Sequence, residues 1–466
     1  MGVTEAGITD ASADKANAAE TPEYQSYLAA HPETEAVEFL ITDSNGVLRG
    51  KWAPAGSISK AFKEGVNFPM SMFGLDVWGR EVMETGLHVD TGDRDGFCKA
   101  GKGTLRSVPW ADRPTAQTIL TMHTERGQPF HGDPRNALER VKERIEAAGY
   151  TPCVAMELEF YLVDPKAQPH ANGMLPPVFQ GVGGPAPQNM YALSDLAQYS
   201  HVFSDIWSFG KAQGLPIDTM VSEAAPGQFE VNLKHRPDAL AAADDAVMLR
   251  RLVTEVARRH GLKATFMAKP YIDIAGNGLH VHVSLLDRDG NNIFSEERGG
   301  EGKLKNSIAG LIESMQAMTL VFVPTFNGYR RLQPGSYAPT TASWGHNNRS
   351  VGIRIPASPP EARRLEHRIA GADANPYLVM AAILAGMLEG LERNLQPPPA
   401  VNINAYEEMV PRLPDDMGEA IRLFERSDFA RRAFGLEYRS LFAHLKRAEL
   451  REFEREITPL ERMTYL

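Results

Sequence analysis

Residues 156–161, Met-Glu-Leu-Glu-Phe-Tyr, lie between the apolar flanks Cys153-Val154-Ala155 and Leu162-Val163. The alternation predicts a strand with Glu157 and Glu159 on one face and Met156, Leu158 and Phe160 on the other. A lone Glu-x-Glu is the ordinary mark of a solvated sheet face. Four further segments repeat the pattern. In GQFEVNL, Gln228, Glu230 and Asn232 share one face; in LHVHVSL, His280, His282 and Ser284 do; in SVGIRIP, Arg354 stands opposite Val351, Ile353 and Ile355; in RLEHRI, Arg364, Glu366 and Arg368 oppose Leu365, His367 and Ile369. Each strand singly reads as half-solvated. Together their polar faces carry Glu, His and Arg, with almost none of the Lys and Thr that coat a solvent-facing sheet.

If these faces converge, they line a cavity with several glutamates, a histidine pair and arginines. Clustered carboxylates raise one another's pKa and cannot all stay ionised without cations. Oxygen donors with one or two imidazoles and no thiolate favour Mg²⁺ or Mn²⁺ over a structural zinc. Arginines beside hard cations suit phosphate and carboxylate groups. No G-x-x-x-x-G-K-[ST] loop occurs, so the pattern suggests phosphoryl transfer outside the P-loop and kinase designs.

Around this centre the chain of 466 residues is 43% hydrophobic, enough for large cores and more than one domain. A net charge of −10 without a polybasic run argues against nucleic acid as a partner. Two cysteines, Cys98 and Cys153, exclude a disulfide framework and point to a reducing, cytoplasmic compartment. The longest apolar run, Tyr377 to Leu388, is too short for a membrane span and reads as a buried helix after Asn375-Pro376. Residues 1–25 have the composition of a disordered tail. Short strands and turns such as AVEFLITD, VLRGKWAP and AQTILTMHT predict a small domain over 26–130. The texture changes at Asp133-Pro134, an N-cap followed by a helix with Leu138, Val141, Ile145 and Ala148 on one face, so a second domain is set at 131–466. Further helices are expected from Asp238 to Gly261 and from Lys303 to Phe322.

The strings MELEFY, EAAPGQFEVNL, AGNGLHVHVSL, YRRLQPGSYAPTTASWGHNNRSVGIRIP and RRLEHRIAGADANPYLVMAAI occur in one order across nearly the whole chain. In them it resembles the glutamine synthetase family, in its type I-like, amine-using branch. The resemblance implies an α+β fold, a small β-grasp domain followed by a glutamine synthetase-type catalytic domain with an antiparallel sheet and helices. It further implies a dodecamer of two stacked hexameric rings with active sites shared between subunits. Glu159, Glu223 and Glu230 match the ligands of one Mg²⁺ or Mn²⁺, and Glu157, His280 and Glu366 those of another. Gly276, His280, Arg331 and Arg368 match positions that hold glutamate; His282, Ser284, Arg349 and Arg354 match positions around ATP. The implied activity is ATP-dependent joining of glutamate to a primary amine through γ-glutamyl phosphate, with putrescine or another polyamine first among the amines.

The chain also departs from the family. Where true glutamine synthetases carry a flap glutamate, the sequence here reads GSYAP, placing Tyr337 there. A neutral phenol is a poor partner for ammonium, whereas its ring suits an alkyl chain. Ala275 stands where an asparagine is usual, so glutamate would rely more on Gly276 and the arginines. Asp76, in FGLDVWG, aligns with the ammonium-binding aspartate, as a candidate to orient the amine and take its proton; as a residue alone it reads equally as a loop cap. Tyr406 lies near the position of a regulatory tyrosine in unmatched surroundings. Ethanolamine, a monoalkylamine, an aromatic amine and ammonium remain open as substrates, as do a non-catalytic homologue and a metal-dependent hydrolase.

Overall fold

The computed structural model describes residues 22–169 and 190–466. The first 21 residues of the expected tail lie outside them. The rest of that expectation is corrected, because Glu23–Ala30 is a helix. Tyr24 is buried in the first core, and the Glu23 carboxylate accepts from the Gly103 and Leu105 amides at 2.8 and 3.1 Å.

Two sheets organise the chain. The first has the order Leu48–Pro54, Ala36–Thr42, Thr115–His123, Asp95–Ala100, Val66–Pro69, with Arg106–Ser107 also on Thr115–His123. Its inner pair, Ala36–Thr42 with Thr115–His123, is parallel and the other pairings are antiparallel. The second has the order Trp344–His346, Ile353–Ile355, Leu365–His367, Leu279–Leu286, Thr151–Val163, Gln228–Leu233, Ile217–Ser222, with Lys263–Thr265 on the long central strand. It is antiparallel except at one edge, where Trp344–His346 runs parallel to Ile353–Ile355.

The apolar face of the second sheet is the one read from the alternation. Met156, Leu158, Phe160, Val231, Val281, Val283 and Leu365 join one core with the helices Ala239–Arg259, Glu301–Phe322 and Pro376–Glu392. Asn375 caps the last of these by accepting from the Tyr377 and Leu378 amides at 3.0 and 3.4 Å. That helix packs backbone to backbone on Glu301–Phe322, since a Cβ on Gly310 would stand 2.0 Å from the Gly386 carbonyl oxygen. In Pro134–Ala147 the expected stripe holds for Leu138, Val141 and Ile145, but Ala148 is exposed, one residue past the helix end.

Charged pairs tie the first sheet to the helix Ala239–Arg259. Arg106 donates to Asp245 at 2.7 Å and Arg251 pairs with Glu38. Arg135 forms a two-pronged bridge to Asp244, both bonds 2.9 Å, and reaches Thr121 Oγ1 at 2.7 Å. Tyr377 donates to the same Asp244 at 2.7 Å, so the buried guanidinium and carboxylate both have neutral partners as well as each other. Because the apolar face of the second sheet packs on the helices, its polar face is turned away from them.

Candidate active site

Strand register assembles the site. Across the second sheet His280 pairs with Glu157 and Glu157 with Asn232; Glu159 pairs with Glu230; His282 pairs with Glu366 and Glu366 with Arg354. Directly opposed residues carry Cβ atoms about 5 Å apart, so Glu159 and Glu230 confront each other as like charges. Glu223, just past Ile217–Ser222, completes a trio with them in which one oxygen of each lies within 4.8 Å of the others. These are the three carboxylates expected to share a cation, and they fit a hard divalent ion: all donors are oxygen, the site is largely dry, and the charges repel.

The second expected trio is not gathered into one grouping. Glu157 meets Glu230 and His280 in one grouping and His282 and Glu366 in another, while His280 and Glu366 do not share one. Two arginines engage the Glu366 carboxylate: Arg354 donates to it at 2.7 Å and Arg368 binds its other oxygen. Burial opposes its charge, yet Arg368 first, then His282 and His280, hold its pKa down at about 2.

In its neutral form His282 is fixed in one tautomer. Arg364 Nε can only donate, and it donates to His282 Nδ1 at 3.1 Å; Nε2–H therefore faces Glu157 Oε1 at 3.0 Å. His280 Nδ1 lies 3.4 Å from the other Glu157 oxygen. Burial works against charge on Glu157, but the hydrogen bonds and charge of the two histidines outweigh it and hold this carboxyl well below the usual range.

The remaining carboxylates behave oppositely. Burial, then repulsion from Glu159, lifts Glu223 to about 7. Burial, then Glu157, Glu159 and Glu223, raises Glu230 well above the carboxylate range. Both folded values exceed the unfolded one of about 4.3, so the native chain binds more protons than the unfolded chain between them. Their stabilisation is full below the unfolded value and is lost as pH rises through about 7. Chelator-treated protein is expected to lose thermal stability from about pH 5 to pH 8, and Mg²⁺ to restore more at the upper end than the lower. Melting curves with EDTA or Mg²⁺ across that range check this; an equal Mg²⁺ shift at all pH values would contradict it.

The positions expected to hold glutamate surround the loop 275–278. Arg331 and Arg368 are both buried, at 5% exposure each, so both charges are available only inward. Arg331 donates to Ile369 O at 2.8 Å. A Cβ on Gly276 would lie 2.4 Å from Ala268 O and 3.1 Å from Arg331 Cγ, and one on Gly278 would lie 2.6 Å from an Arg331 nitrogen. Both glycines let the loop lie against the guanidinium. The Gly278 amide donates to Glu159, joining this loop to the carboxylate trio.

Two holders of that loop were given no role in the sequence reading, although Gln228 was placed on the polar face. Tyr161 donates to Ala275 O at 2.6 Å, and Gln228 donates to Gly276 O at 2.9 Å. The period-two pattern was the available signal, since Tyr161 follows Glu159 by two residues and Gln228 precedes Glu230 by two. Arg364, two before Glu366, was visible in the same way.

The four residues expected around ATP separate into three places. His282 and Ser284 line a cavity of about 590 Å³ with Glu157, Cys153, Asn232 and Arg364. Arg354 spans Glu366 and Asn347, donating to the latter at 3.0 Å. Arg349 lines a second cavity, of about 560 Å³, with Tyr337. Asp76 is a loop cap within its own chain: its carboxylate accepts from the Trp78 and Arg80 amides at 2.9 and 2.8 Å and from Arg80 Nε at 2.8 Å. The loop is pinned by the Val77 amide, which donates to buried Glu449 at 3.0 Å, and Glu449 is paired with buried Lys446 at 2.9 Å. Its tip is open, with Val77 42% and Trp78 46% exposed. Among the described residues no helix is long and apolar enough to cross a membrane.

Residues 131–465 match the family described as glutamine synthetase, catalytic domain. The chain is 42% identical over 455 residues to gamma-glutamylputrescine synthetase PuuA of Escherichia coli (strain K12), covering 97% of this chain and 95% of that protein. It is 33% identical over 445 residues to glutamate–isopropylamine ligase of a Pseudomonas species, covering 93% and 95%. A solved GmaS/ADP complex superposes with a TM-score of 0.82 at 30% identity, over 94% of this chain and 98% of that one.

Proposed function

The chain belongs to the glutamine synthetase family, and on that premise we propose that it is an ATP-dependent ligase joining the γ-carboxylate of glutamate to a primary amine, with putrescine or a related polyamine as the first substrate. The observation that carries this reading is the register-built trio of Glu159, Glu223 and Glu230 beside two buried arginines. Similarity to a gamma-glutamylputrescine synthetase supports the diamine, and similarity to a glutamate–isopropylamine ligase supports an amine larger than ammonium.

In this reading Glu159, Glu223 and Glu230 would hold one divalent cation and Glu157, His280 and Glu366 are the donors assigned to a second; the cations supply charge neutralisation at the transferring phosphoryl group. ATP occupies the cavity lined by His282 and Ser284, with Arg349 and Arg354 toward its phosphates. Arg331 and Arg368, backed by Gly276, orient glutamate so that a γ-carboxylate oxygen attacks the γ-phosphorus and ADP leaves. The amine nitrogen then attacks the γ-carbonyl carbon of γ-glutamyl phosphate, and phosphate leaves. An alkylammonium with a pKa near ~10 must first give up a proton. Asp76 is proposed to take it across a subunit boundary: Asp76 is itself buried, but Val77 and Trp78 beside it are exposed, and no described contact joins it to the carboxylate trio of its own chain. That role needs the dodecamer of two stacked rings. Tyr337, exposed, offers the amine's alkyl chain an aromatic wall. We place residues 26–130 as the small domain that carries the Asp76 loop and 131–466 as the catalytic domain, in a cytoplasmic enzyme whose Cys98 and Cys153 are free thiols.

The test is phosphate release by the purified protein with ATP, Mg²⁺ and glutamate, against putrescine, ethanolamine, isopropylamine, aniline and ammonium in parallel. Putrescine is expected to give the highest kcat/KM and ammonium little release. Release with ammonium alone would make Tyr337 irrelevant to amine choice, and no release with any amine would refute the ligase.

A further inference from the structure

Residues 333–338 form a short flap in which Tyr337 has φ of 57° and a ring 65% exposed. A left-handed φ at a bulky non-glycine residue is strained and persists only where its surroundings over-determine it. Both sides of Tyr337 are fastened. Ser336 Oγ sits 3.0 Å from Arg331 O and 2.6 Å from Gln333 O, and it accepts from the Ala338 amide at 3.2 Å. On the other side Pro339 restricts Ala338 to extended backbone, and the Tyr406 hydroxyl donates to Ala338 O at 3.0 Å.

Tyr406 is itself held from the site. The amide of Ala405 donates to Ser350 Oγ at 3.0 Å, and Asn348 Nδ2 donates to Val401 O at 3.0 Å and Ile403 O at 2.8 Å. Those anchors flank Arg349, so flap, loop and arginine turn border the open cleft of about 560 Å³ lined by Tyr337, Arg349, Asn404 and Tyr406. Burial pushes the Tyr406 phenol up, against its hydrogen bond with Ser336 and the pull of Arg368 and Arg331.

We propose that Tyr406 is a positioning residue for the amine step: by holding Ala338 it keeps Tyr337 in its left-handed conformation at the amine side of the site. The proposal deepens the ligase reading and rests on it. One hydrogen bond is of the same order as the strain it opposes, so removing it frees Tyr337 to leave that conformation.

Tyr406→Phe keeps the ring and deletes only the donor. The KM for amine is expected to rise about tenfold, while the KM for ATP, the KM for glutamate and the melting temperature stay near wild type. Phosphate release without amine should rise relative to amide formation, because a loosened flap admits water to the acyl phosphate. Amide hydrogen exchange at Tyr337 and Ala338 should quicken in the variant whether or not the protein turns over any amine. Unchanged exchange with an unchanged amine KM would overturn the proposal, as would an equal rise in all three KM values. If the unmodified protein releases no phosphate with any amine, the ligase reading falls, and unchanged exchange would then still refute the hold of Tyr406 on the flap.

Discussion

Glu159→Gln is expected to lower the ligase rate about a thousandfold or more while leaving the fold intact. The glutamine keeps an oxygen to accept from the Gly278 amide, so the loop 275–278 stays in place. What it removes is one of three carboxylates crowded within 4.8 Å of one another. Since Glu159 is among the charges that raise Glu223 and Glu230, the variant's melting temperature in EDTA should equal or exceed that of the wild type. Its response to Mg²⁺ should be weak. Near-normal turnover, or a full Mg²⁺ shift, would remove Glu159 from the cation site.

Arg331→Lys should act on a different substrate. The KM for glutamate is expected to rise about a hundredfold, since a lysine cannot offer the planar fork and a charge-assisted hydrogen bond contributes about 1.5–3 kcal/mol. The KM for ATP should hold, because His282 and Ser284 line a cavity whose lining does not include Arg331. Steady-state kinetics with glutamate and ATP varied in turn separates the two. An unchanged glutamate KM, or equal rises for both, would take Arg331 out of glutamate binding.

Much of the site was legible because a strand carries its side-chain period within itself. Glu157 and Glu159, Gln228 and Glu230, His280 and His282, Glu366 and Arg368 could each be put on a face from a few neighbours. Helix starts were equally local, as at Asp133 and Asn375, whose side chains accept from amides two or three residues on. The family strings extended this to substrates and to the donors of the carboxylate trio.

Which residues meet was another matter. The sequence determined the polar faces, the apolar faces, the caps and the family. Only the tertiary structure decided that Glu159 opposes Glu230, that Arg354 and Arg368 both bind Glu366, that Asp76 caps its own loop, and that Tyr406 reaches a flap 68 residues away. The physical reason is range. Periodicity and capping come from bonds and sterics among near neighbours, whereas carboxylate orientation and pKa depend on charges brought close through space by strand register, which few neighbouring residues encode.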